Sequence, residues 1–388
     1  MLIGRHIAVA GGGVGGIAAA LALALRGAQV DLFERAPDLS EIGAGLQISP
    51  NGMAVLRALG VAERIAERAV SARAVHLCDG ARGRIVTTLP LTRLADAGPW
   101  LLVHRADLVA ALAGAARAAG VAFHLGRRVE GAQNASDGVR LSGPSGGPSY
   151  DLLVAADGVR SVLRPMVDRG PAASFTGQVA WRALVPLDQA ISPEVAVHMG
   201  PGRHLVAYPL RDRCLLNIVA VEERAAWTPE GWTHRDDPEN LRRAFAGFSP
   251  QVRGWLDQVD EVALWGLFRH PVACPWQAGR VALLGDAVHP TLPFLAQGAC
   301  MALEDAWVLS ASLSAADSVA AGLASYQAAR HDRCVRIVKS STFNAFAYHL
   351  RPGPLRGLAH LGLGVLGRIA PGAALAKFDW LYRHDVTG

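Results

Sequence analysis

The feature that most constrains the fold is a glycine-rich segment near the N-terminus. A short apolar run, residues 7–10, leads directly into Gly11, Gly13 and Gly16, which occupy the glycine positions of the pattern G-x-G-x-x-G. The alanine- and leucine-rich residues 14–26 then predict a helix, and residues 29–33 predict a second strand. In such a β-α-β unit the first glycine permits a tight turn, the second lets backbone amides approach a pyrophosphate, and the third lets helix and strand pack closely. The sequence therefore predicts a dinucleotide-binding unit of an α/β fold.

A carboxylate at the end of the second predicted strand narrows the choice of dinucleotide. Glu34 is placed to accept hydrogen bonds from a ribose and to repel a 2′-phosphate, which predicts FAD or NAD rather than NADP. A second match to the glycine pattern, at Gly362, Gly364 and Gly367, has too little chain after it for another β-α-β unit. We interpret that second match as helix or loop.

The overall composition excludes several classes of protein. The chain has 388 residues, of which 51% are hydrophobic and 18% charged, so it can form a core and is not intrinsically disordered. Its length predicts about two to three domains. The net charge of +5 comes from arginines scattered among acidic residues. Because nucleic-acid binding needs a basic stripe with interleaved aromatic residues, no nucleic-acid partner is expected.

The cysteines and the apolar stretches bear on the location of the protein. The five cysteines lie far apart, without a C-x-x-C pair or metal-site spacing, which indicates a reducing compartment and no metal site. No signal-peptide pattern precedes the glycine-rich segment, so a cytoplasmic protein is expected. The longest apolar stretch, residues 14–25, is shorter than the roughly 20 residues that cross a bilayer, so no membrane span is expected.

Two later segments repeat the arrangement of a strand that leads into a turn. Residues 151–156 predict a strand that leads into Asp157 and Gly158, and residues 281–284 predict one that leads into Gly285 and Asp286. An apolar helix is predicted over about residues 299–309, directly after the second turn. The positive end of that helix would point at whatever the turn binds.

Taken together, these segments resemble the class A flavoprotein aromatic hydroxylases, single-component FAD monooxygenases that include salicylate, 3-hydroxybenzoate and 6-hydroxynicotinate hydroxylases. The resemblance covers most of the chain. It implies a Rossmann-like FAD-binding domain of the glutathione-reductase type, an inserted substrate domain that is mainly β-sheet, and a C-terminal helical tail. The segments that carry it are residues 11–16, 34–35, 43–47, 104–108, 157–158 and 285–306.

The resemblance also implies roles for individual residues. Glu34 would hold the ribose, Arg105 would lie along the FAD, and Asp286 would bind its ribityl or pyrophosphate part. The helix that starts near Gly298 would place its first amides beside the flavin pyrimidine. NADH or NADPH would bind only transiently as co-substrate. The residues expected to bind FAD are Gly11, Gly13, Val14, Gly15, Gly16, Glu34, Arg35, Gly45, Arg105, Val129, Asp157, Gly158, Gly285, Asp286, Gly298 and Ala299.

One motif departs from the family pattern. The frequent Gly-Gln-Gly of the family is here Ala296-Gln297-Gly298. That variant is associated with the salicylate and 3-hydroxybenzoate branch.

The positions of the predicted strands along the chain predict how the domains are divided. Residues 178–185 predict a strand, residues 204–210 and 215–221 predict a hairpin, and residues 74–89 are expected to add strands to the same sheet. We therefore expect an FAD-binding domain of residues 1–72, 101–172 and 269–315, and a substrate domain of residues 73–100 and 173–268. Residues 316–388 would form a C-terminal helical region that is a candidate for homodimerisation.

Candidate substrate residues cluster on the predicted hairpin. Since strand residues two apart share a face, His204, Val206 and Tyr208 should project together. Related 3-hydroxybenzoate hydroxylases place a histidine of this Pro-Gly-x-His setting at the substrate, where a base could deprotonate a phenol. The alternative is a histidine that is hydrogen-bonded within the sheet. The candidate catalytic set is His204, Tyr208 and Arg182, with Gln47 and Pro293 at the pocket border by resemblance.

Several of these residues have alternative interpretations. Arg182 could hold a substrate carboxylate or lie at the surface. His289 is expected to orient the turn at Gly285 rather than to transfer protons. Cys300 could be a thiol of lowered pKa or a small packing residue, with packing favoured. His349 is interpreted as a surface or packing residue.

The resemblance implies an NAD(P)H-dependent monooxygenase that hydroxylates a small aromatic acid or phenol with O2 through a flavin C4a-hydroperoxide. Pro293, where 3-hydroxybenzoate hydroxylases can carry a glutamine, favours salicylate as substrate, with loss of carbon dioxide and formation of a catechol. The alternatives within the class are 3-hydroxybenzoate 6-hydroxylation, 6-hydroxynicotinate 3-monooxygenation, and action on urate or a quinolone-type ring. Outside the class, an NAD-dependent dehydrogenase and a non-catalytic flavin-binding sensor remain open.

Overall fold

The computed structural model describes residues 2–39, 45–143, 147–224, 226, 234–351, 353–370 and 372–388. Gly43 and Ala44, which carry part of the resemblance, lie outside the described residues. The strands are β1 (His6–Ala10), β2 (Gln29–Glu34), β3 (Gly45–Ile48), β4 (Val70–Ser71), β5 (Ala74–Asp79), β6 (Ile85–Pro90), β7 (Leu101–His104), β8 (Ala122–Leu125), β9 (Gly131–Asn134), β10 (Val139–Ser142), β11 (Leu152–Ala155), β12 (Ser174–Pro186), β13 (Glu194–Gly200), β14 (Arg203–Leu210), β15 (Leu215–Glu223), β16 (Arg235–Asp236), β17 (Val262–Arg269), β18 (Gln277–Ala278) and β19 (Val281–Leu283).

The helices pack around and beyond two large sheets. They are α1 (Val14–Ala24), α2 (Pro50–Ala58), α3 (Ala62–Ala66), α4 (Arg105–Ala118), α5 (Arg164–Val167), α6 (Pro238–Ala244), α7 (Pro250–Asp257), α8 (Gly298–Ala315), α9 (Val319–Tyr348), α10 (Pro354–Ile369), α11 (Ala373–Ala376) and α12 (Asp379–Tyr382).

A six-stranded sheet forms the first layer, in the order β18-β19-β11-β1-β2-β8. All its pairings are parallel except that of the edge strand β18 with β19. Helix α1 lies between β1 and β2 in the chain and packs against α4 and α8. This arrangement confirms the predicted β-α-β unit and brings the ends of β1, β11 and β19 to one edge of the sheet, where ligands bind in open α/β sheets.

An eight-stranded sheet forms the second unit, in the order β16-β17-β12-β15-β14-β13-β5-β6. Strands β14 and β15 form the predicted hairpin, and β5 and β6 join the same sheet as predicted. Their membership agrees with the proposed limits of the substrate domain, which remain a prediction.

Successive residues along the central strands of this sheet point to opposite faces, so each face carries its own set of side chains. One face buries Trp181, Leu205 and Ile218 against α6 and α7. The residues between them in sequence, including Arg182, Val206 and Val219, point to the opposite face. Register pairs Arg182 with Val219 and Val219 with Val206, so these three side chains form a row across β12, β15 and β14.

The C-terminal region is helical, as predicted. Helix α9 packs along α8, and α10 contacts β6. The second glycine pattern, at Gly362, Gly364 and Gly367, lies inside α10, which confirms that it is not a nucleotide fingerprint. Helix α10 exposes Leu358, Leu361 and other apolar side chains, and its role in dimerisation remains a prediction.

None of the helices within the described ranges is both long enough and apolar enough to span a bilayer.

Candidate active site

A single cleft brings together most of the residues predicted from the sequence. It lies where the C-terminal ends of the first sheet meet the open face of the second. The expected cofactor residues that line it are Gly13, Val14, Gly15, Gly16, Gly45, Arg105, Gly158, Gly285, Asp286, Gly298 and Ala299. The candidate substrate residues His204, Tyr208, Arg182, Gln47 and Pro293 line the same cleft.

The glycine-rich turn shows which of its residues leave room for a ligand. An added Cβ at Gly11, whose φ is +115°, would clash with the carbonyl of Ala156. An added Cβ at Gly16 would clash with the carbonyl of Gly11, whereas one at Gly13 would have no neighbour within 4 Å. The turn is therefore closed on the protein side and open at Gly13, which fits the approach of a pyrophosphate to the N-terminus of α1.

The remaining expected cofactor residues lie outside the lining of this cleft. The Glu34 carboxylate accepts hydrogen bonds from the backbone N–H groups of Gly12 (2.6 Å) and Ala36 (2.8 Å), which fixes it beside the glycine-rich turn. Asp157 Oδ2 accepts from the backbone N–H of Val162 at 2.9 Å. Gly11, Arg35 and Val129 are likewise absent from the described lining, with Arg35 exposed and Val129 buried in the core. Their roles in binding FAD remain predictions.

A buried hydrogen-bond network holds the turn at Gly285. Asp305 Oδ2 accepts a hydrogen bond from the backbone N–H of Gly285 at 3.1 Å and lies 2.5 Å from His289 Nε2. Although burial disfavours the imidazolium, Cys334 and Asp305 raise the pKa of His289 well above its ordinary value. His289 therefore acts on the turn through Asp305, in agreement with the orienting role predicted for it.

Asp286 projects from this turn into the cleft. Its side chain is exposed to the cleft, while the surrounding protein raises the pKa of its carboxyl by desolvation. Gly285, at φ +63°, and the start of α8 lie beside it. A polar group with hydroxyls, such as a ribityl chain, could hydrogen-bond to the carboxyl here.

The substrate side of the cleft is closely packed around Tyr208. Its side chain is buried, and desolvation raises the pKa of its phenol. An added Cβ at Gly45 would lie 2.7 Å from Tyr208 Cε2 and 2.7 Å from Asn217 Cγ. The backbone N–H of Gly45 donates to Asn217 Oδ1 at 2.8 Å, so β3 and β15 are joined at this point. Gln47 Oε1 accepts from Trp100 Nε1 at 3.2 Å.

Comparison with known proteins agrees with this geometry. The family model described as "FAD binding domain" matches residues 5–341. The chain is 36% identical to 3-amino-4-hydroxybenzoate 2-monooxygenase of Streptomyces cremeus, over 90% of this chain and 89% of the relative. It is also 36% identical to 3-hydroxybenzoate 6-hydroxylase of Polaromonas naphthalenivorans, over 98% of this chain and 96% of the relative. This chain belongs to the class A flavoprotein hydroxylases.

A solved structure supports the same family assignment. HpxO of Klebsiella pneumoniae, crystallised with FAD and uric acid, has a TM-score of 0.83 and 29% identity, with 96% of each chain covered. The chain is therefore an FAD-dependent aromatic hydroxylase. The alternative of an NAD-dependent dehydrogenase, which the glycine pattern alone permits, is wrong.

The cleft of this flavoprotein fits its cofactor. The open position at Gly13 leaves the first turn of α1 accessible to a diphosphate. An added Cβ at Gly15 would lie 2.9 Å from Leu284 Cδ2 and 3.0 Å from Ala302 Cβ, so glycine is needed for α1 to approach α8. Arg105 lines the same cleft, and its charge favours the ionised form of the Asp286 carboxyl.

The departure from Gly-Gln-Gly has a physical cost at Ala296. This residue has φ +53° and ψ +36°, the left-handed conformation in which glycine is favoured. A Cβ in that conformation costs roughly 1–2 kcal/mol. The flavoprotein family's frequent glycine at this position meets the same backbone requirement.

Two alternative interpretations are settled by burial. Arg182 is half-buried in the wall of the cleft, where desolvation lowers its pKa to about 10, so it is not an exposed surface arginine. Cys300 is buried against Gly52, and desolvation raises the pKa of its thiol to about 11. Cys300 is therefore a packing residue of the flavoprotein and not a reactive thiolate.

His349 contacts the candidate site from outside the described lining of the cleft, and the sequence interpretation did not connect the two. It is buried, and its Nε2 lies 2.7 Å from Nδ1 of His204. The two histidines are separated by 145 residues, and no motif around His349 marks it. Its burial agrees with the packing interpretation, and its direct contact with His204, the candidate base of this flavoprotein, is the feature that the sequence did not indicate.

Proposed function

We propose that this flavoprotein uses NAD(P)H and O2 to hydroxylate a small aromatic acid that carries a phenolic hydroxyl, with 3-hydroxybenzoate as the best candidate. The observation that carries the proposal is the convergence of His204, Tyr208 and Arg182 on the cleft that also contains the cofactor residues. The two 36% identical relatives are named for 3-hydroxybenzoate and 3-amino-4-hydroxybenzoate. These names favour the 3-hydroxybenzoate alternative over salicylate.

The cofactor residues position the flavin. Residues 13–16, Arg105, Asp286 and the first residues of α8 would hold FAD, whose bound form accepts hydride from NAD(P)H and activates oxygen. The N-terminal amides of α8 would stabilise negative charge on the flavin ring.

Arg182 is the proposed partner of the substrate carboxylate. Its guanidinium carbon lies 5.4 Å from the ring centroid of Trp265, which supports the side chain within the cleft wall. A guanidinium can bind a carboxylate through two parallel hydrogen bonds, and a low-dielectric setting strengthens them. Arg182 would thereby orient the ring of the acid.

His204 is the proposed base for the phenol. It lies in the same cleft wall as Arg182, and desolvation together with His349 lowers its pKa well below the ordinary value. The ring is therefore neutral at physiological pH, and because the lowered pKa also makes it a weaker base, a proton that it accepts from the phenol has to be passed on rather than held. A phenolate is more electron-rich than a phenol, so proton removal prepares the ring for electrophilic oxygen transfer.

The walls beside these groups would exclude water. Val206, Val219 and Val221 line the cleft between the polar residues. Exclusion of water would favour productive oxygen transfer at a bound flavin and would strengthen each polar contact with the substrate.

The test measures NAD(P)H oxidation by the FAD-loaded protein with each of four compounds: 3-hydroxybenzoate, 3-amino-4-hydroxybenzoate, salicylate and phenol. We expect 3-hydroxybenzoate to accelerate oxidation and to give a dihydroxybenzoate. Phenol should stimulate weakly, because it offers no carboxylate to Arg182. Efficient conversion of salicylate to catechol, with no response to 3-hydroxybenzoate, would contradict the proposed substrate.

A further inference from the structure

A chain of three side chains connects the substrate side of the cleft with solvent. His204 lines the cleft from β14, and its Nδ1 lies 2.7 Å from Nε2 of His349, which directly follows α9. Nδ1 of His349 lies in turn 3.1 Å from Oε1 of Glu223, at the end of β15. The side chain of His349 is 2% exposed, whereas that of Glu223 is 43% exposed. The contacts are therefore continuous from the cleft to the surface.

We propose that His349 and Glu223 form a proton relay that carries the phenolic proton of the substrate from His204 to solvent. The same two residues hold His204 in the tautomer whose Nε2 is unprotonated, as a general base requires. The inference rests on the proposed function, because it needs a phenolic substrate beside His204.

The tautomers follow from the carboxylate at the outer end of the chain. An ionised carboxylate can only accept hydrogen bonds, so His349 donates its Nδ1 proton to Glu223 and presents an unprotonated Nε2 to His204. His204 then donates from Nδ1 to His349. Its other nitrogen, Nε2, is left with a lone pair for the substrate, which is the state that a general base needs.

A competing contact would give the opposite result. Gln178 Nε2 lies 3.4 Å from the same Nδ1 of His349. If this amide donated to His349, the ring would donate from Nε2 to His204, and His204 would present an N–H to the cleft. The contact with Glu223 is shorter, at 3.1 Å, and it is charge-assisted, so it determines the tautomer of His349.

The proton transfer balances along the chain. The phenolic O–H bond breaks and a new N–H bond forms at Nε2 of His204. The proton on Nδ1 of His204 moves to Nε2 of His349, the proton on Nδ1 of His349 moves to Glu223, and Glu223 releases it to water. One proton leaves the cleft, and the substrate retains the electron pair as a phenolate. The reverse passage returns a proton when the product regains its phenol.

The surroundings keep both rings neutral between transfers. Desolvation lowers the pKa of His349, the carboxylate of Glu223 raises it, and the charge of Arg203 lowers it. The net effect is a pKa below the ordinary value. The rings of Phe294 and Tyr348 lie against His204, with centroids 5.3 Å and 5.2 Å away. Burial among such groups, together with His349, lowers the pKa of His204. A neutral pair can pass a proton along without holding a buried charge.

The adjacent residue Glu222 offers a matched control. It occupies the same strand end, but its carboxylate pairs with Arg203 at 3.2 Å and with Arg224 at 3.3 Å. Within the described part of the chain, Glu222 pairs with these two arginines and with neither histidine, so its removal should leave the relay intact.

The test follows the proton that is released when a phenol binds. FAD-loaded wild type, His349→Leu, Glu223→Gln and Glu222→Gln are each mixed with 3-hydroxybenzoate in weakly buffered solution that contains a pH-indicator dye. Binding of 3-methoxybenzoate, which has no phenolic proton, is measured alongside. We expect wild type and Glu222→Gln to release a proton rapidly. His349→Leu and Glu223→Gln should release it roughly tenfold or more slowly, with unchanged affinity for 3-methoxybenzoate.

The outcomes separate the relay from the proposed function. Proton release that is as fast in both His349→Leu and Glu223→Gln as in wild type overturns the relay alone. A wild-type protein that binds neither aromatic acid contradicts the proposed function. Since Glu223→Gln changes an exposed residue without changing its shape, it tests the relay even if His349→Leu fails to fold.

Discussion

At the scale of single residues, the substrate side of the cleft depends on the missing Cβ of Gly45. The Gly45 backbone approaches both the phenol ring of Tyr208 and the carboxamide of Asn217, and its N–H donates to Asn217. Tyr208 pairs with Asn217 across β14 and β15, so a displacement of either side chain would affect the other. The position of the Tyr208 hydroxyl is therefore set by how closely β3 can approach the sheet.

Replacement of Gly45 by alanine tests this close approach. The new methyl group would force Tyr208 and Asn217 apart, and overpacking of this kind costs about 1–3 kcal/mol of stability. We expect Gly45→Ala to lower the melting temperature and to raise KM for the aromatic acid. Gly254→Ala is the control, because an added Cβ there, in α7, meets nothing within 4 Å. Wild-type values for both quantities in Gly45→Ala would show that Tyr208 is not held in this way.

At the scale of elements, a buried ionic network joins α8 to α9 behind the cofactor side of the cleft. Arg330 donates from Nη1 to Glu304 Oε2 at 2.5 Å and from Nε to Asp305 Oδ1 at 2.8 Å. Arg333 donates to Glu304 Oε1 at 2.8 Å, and Asn51 on α2 donates to the same oxygen at 2.6 Å. Through Asp305 the network reaches the backbone of the turn at Gly285, so it couples helix packing to the shape of the cofactor site.

Removal of Arg330 should be far more harmful than removal of a surface arginine. Arg330, Glu304 and Asp305 are fully buried, and breaking a buried pair leaves an uncompensated charge that costs about 3–5 kcal/mol. We expect Arg330→Met to lower the free energy of unfolding by that amount in urea denaturation. Arg235→Met, which breaks an exposed pair with Glu261, should cost at most about 1 kcal/mol. Equal losses in the two variants would contradict the structural role of the network.

The same network predicts how the free energy of unfolding depends on pH in the acid range. Burial opposes ionisation of Glu304, but Arg330 and Arg333 lower its pKa to about 2 from an ordinary value of 4.5. A carboxyl group whose pKa is lower in the folded state stabilises the protein at pH values above its unfolded-state pKa. That contribution is lost as the pH falls from 4.5 to about 2.

Unfolding measured over this pH range checks the assignment. Wild type should lose stability steeply between these two pH values. Glu304→Gln should be less stable at neutral pH and should show a shallower dependence in the same window. Parallel curves for the two proteins would mean that another group dominates the acid transition.

At the scale of the whole molecule, the parts that the sequence predicts are those with local causes. The tight turn at Gly11, the close approach at Gly16 and the strand leading into Gly285 each depend on neighbours within one β-α-β or β-turn-α unit. Alternation in β14 likewise predicts that His204 and Tyr208 share a face, because strand periodicity is local. The structure confirms these local features and the shared face of His204 and Tyr208.

The parts that the sequence does not predict arise from long-range packing. His349 reaches His204 only because α9, a helix of 30 residues, packs on α8 and then carries the chain to the second sheet. The sequence predicts that residues 74–89 join the second sheet but not that β5 pairs with β13, because this parallel pairing joins segments more than a hundred residues apart and carries no turn signal. The place of Arg182 in the cleft wall follows from its position in the interior strand β12, whereas its sequence neighbours do not distinguish it from a surface arginine.

The measurement that tests the central claim most directly is the isotopic composition of the product formed under heavy dioxygen. FAD-loaded protein is incubated with NAD(P)H, 3-hydroxybenzoate and isotopically heavy dioxygen, and the product is analysed by mass spectrometry. We predict a dihydroxybenzoate that retains its carboxylate and carries one heavy oxygen atom, with one NAD(P)H consumed for each product molecule. Consumption of NAD(P)H with formation of hydrogen peroxide and no labelled aromatic product would contradict the claim that this cleft hydroxylates a phenolic acid.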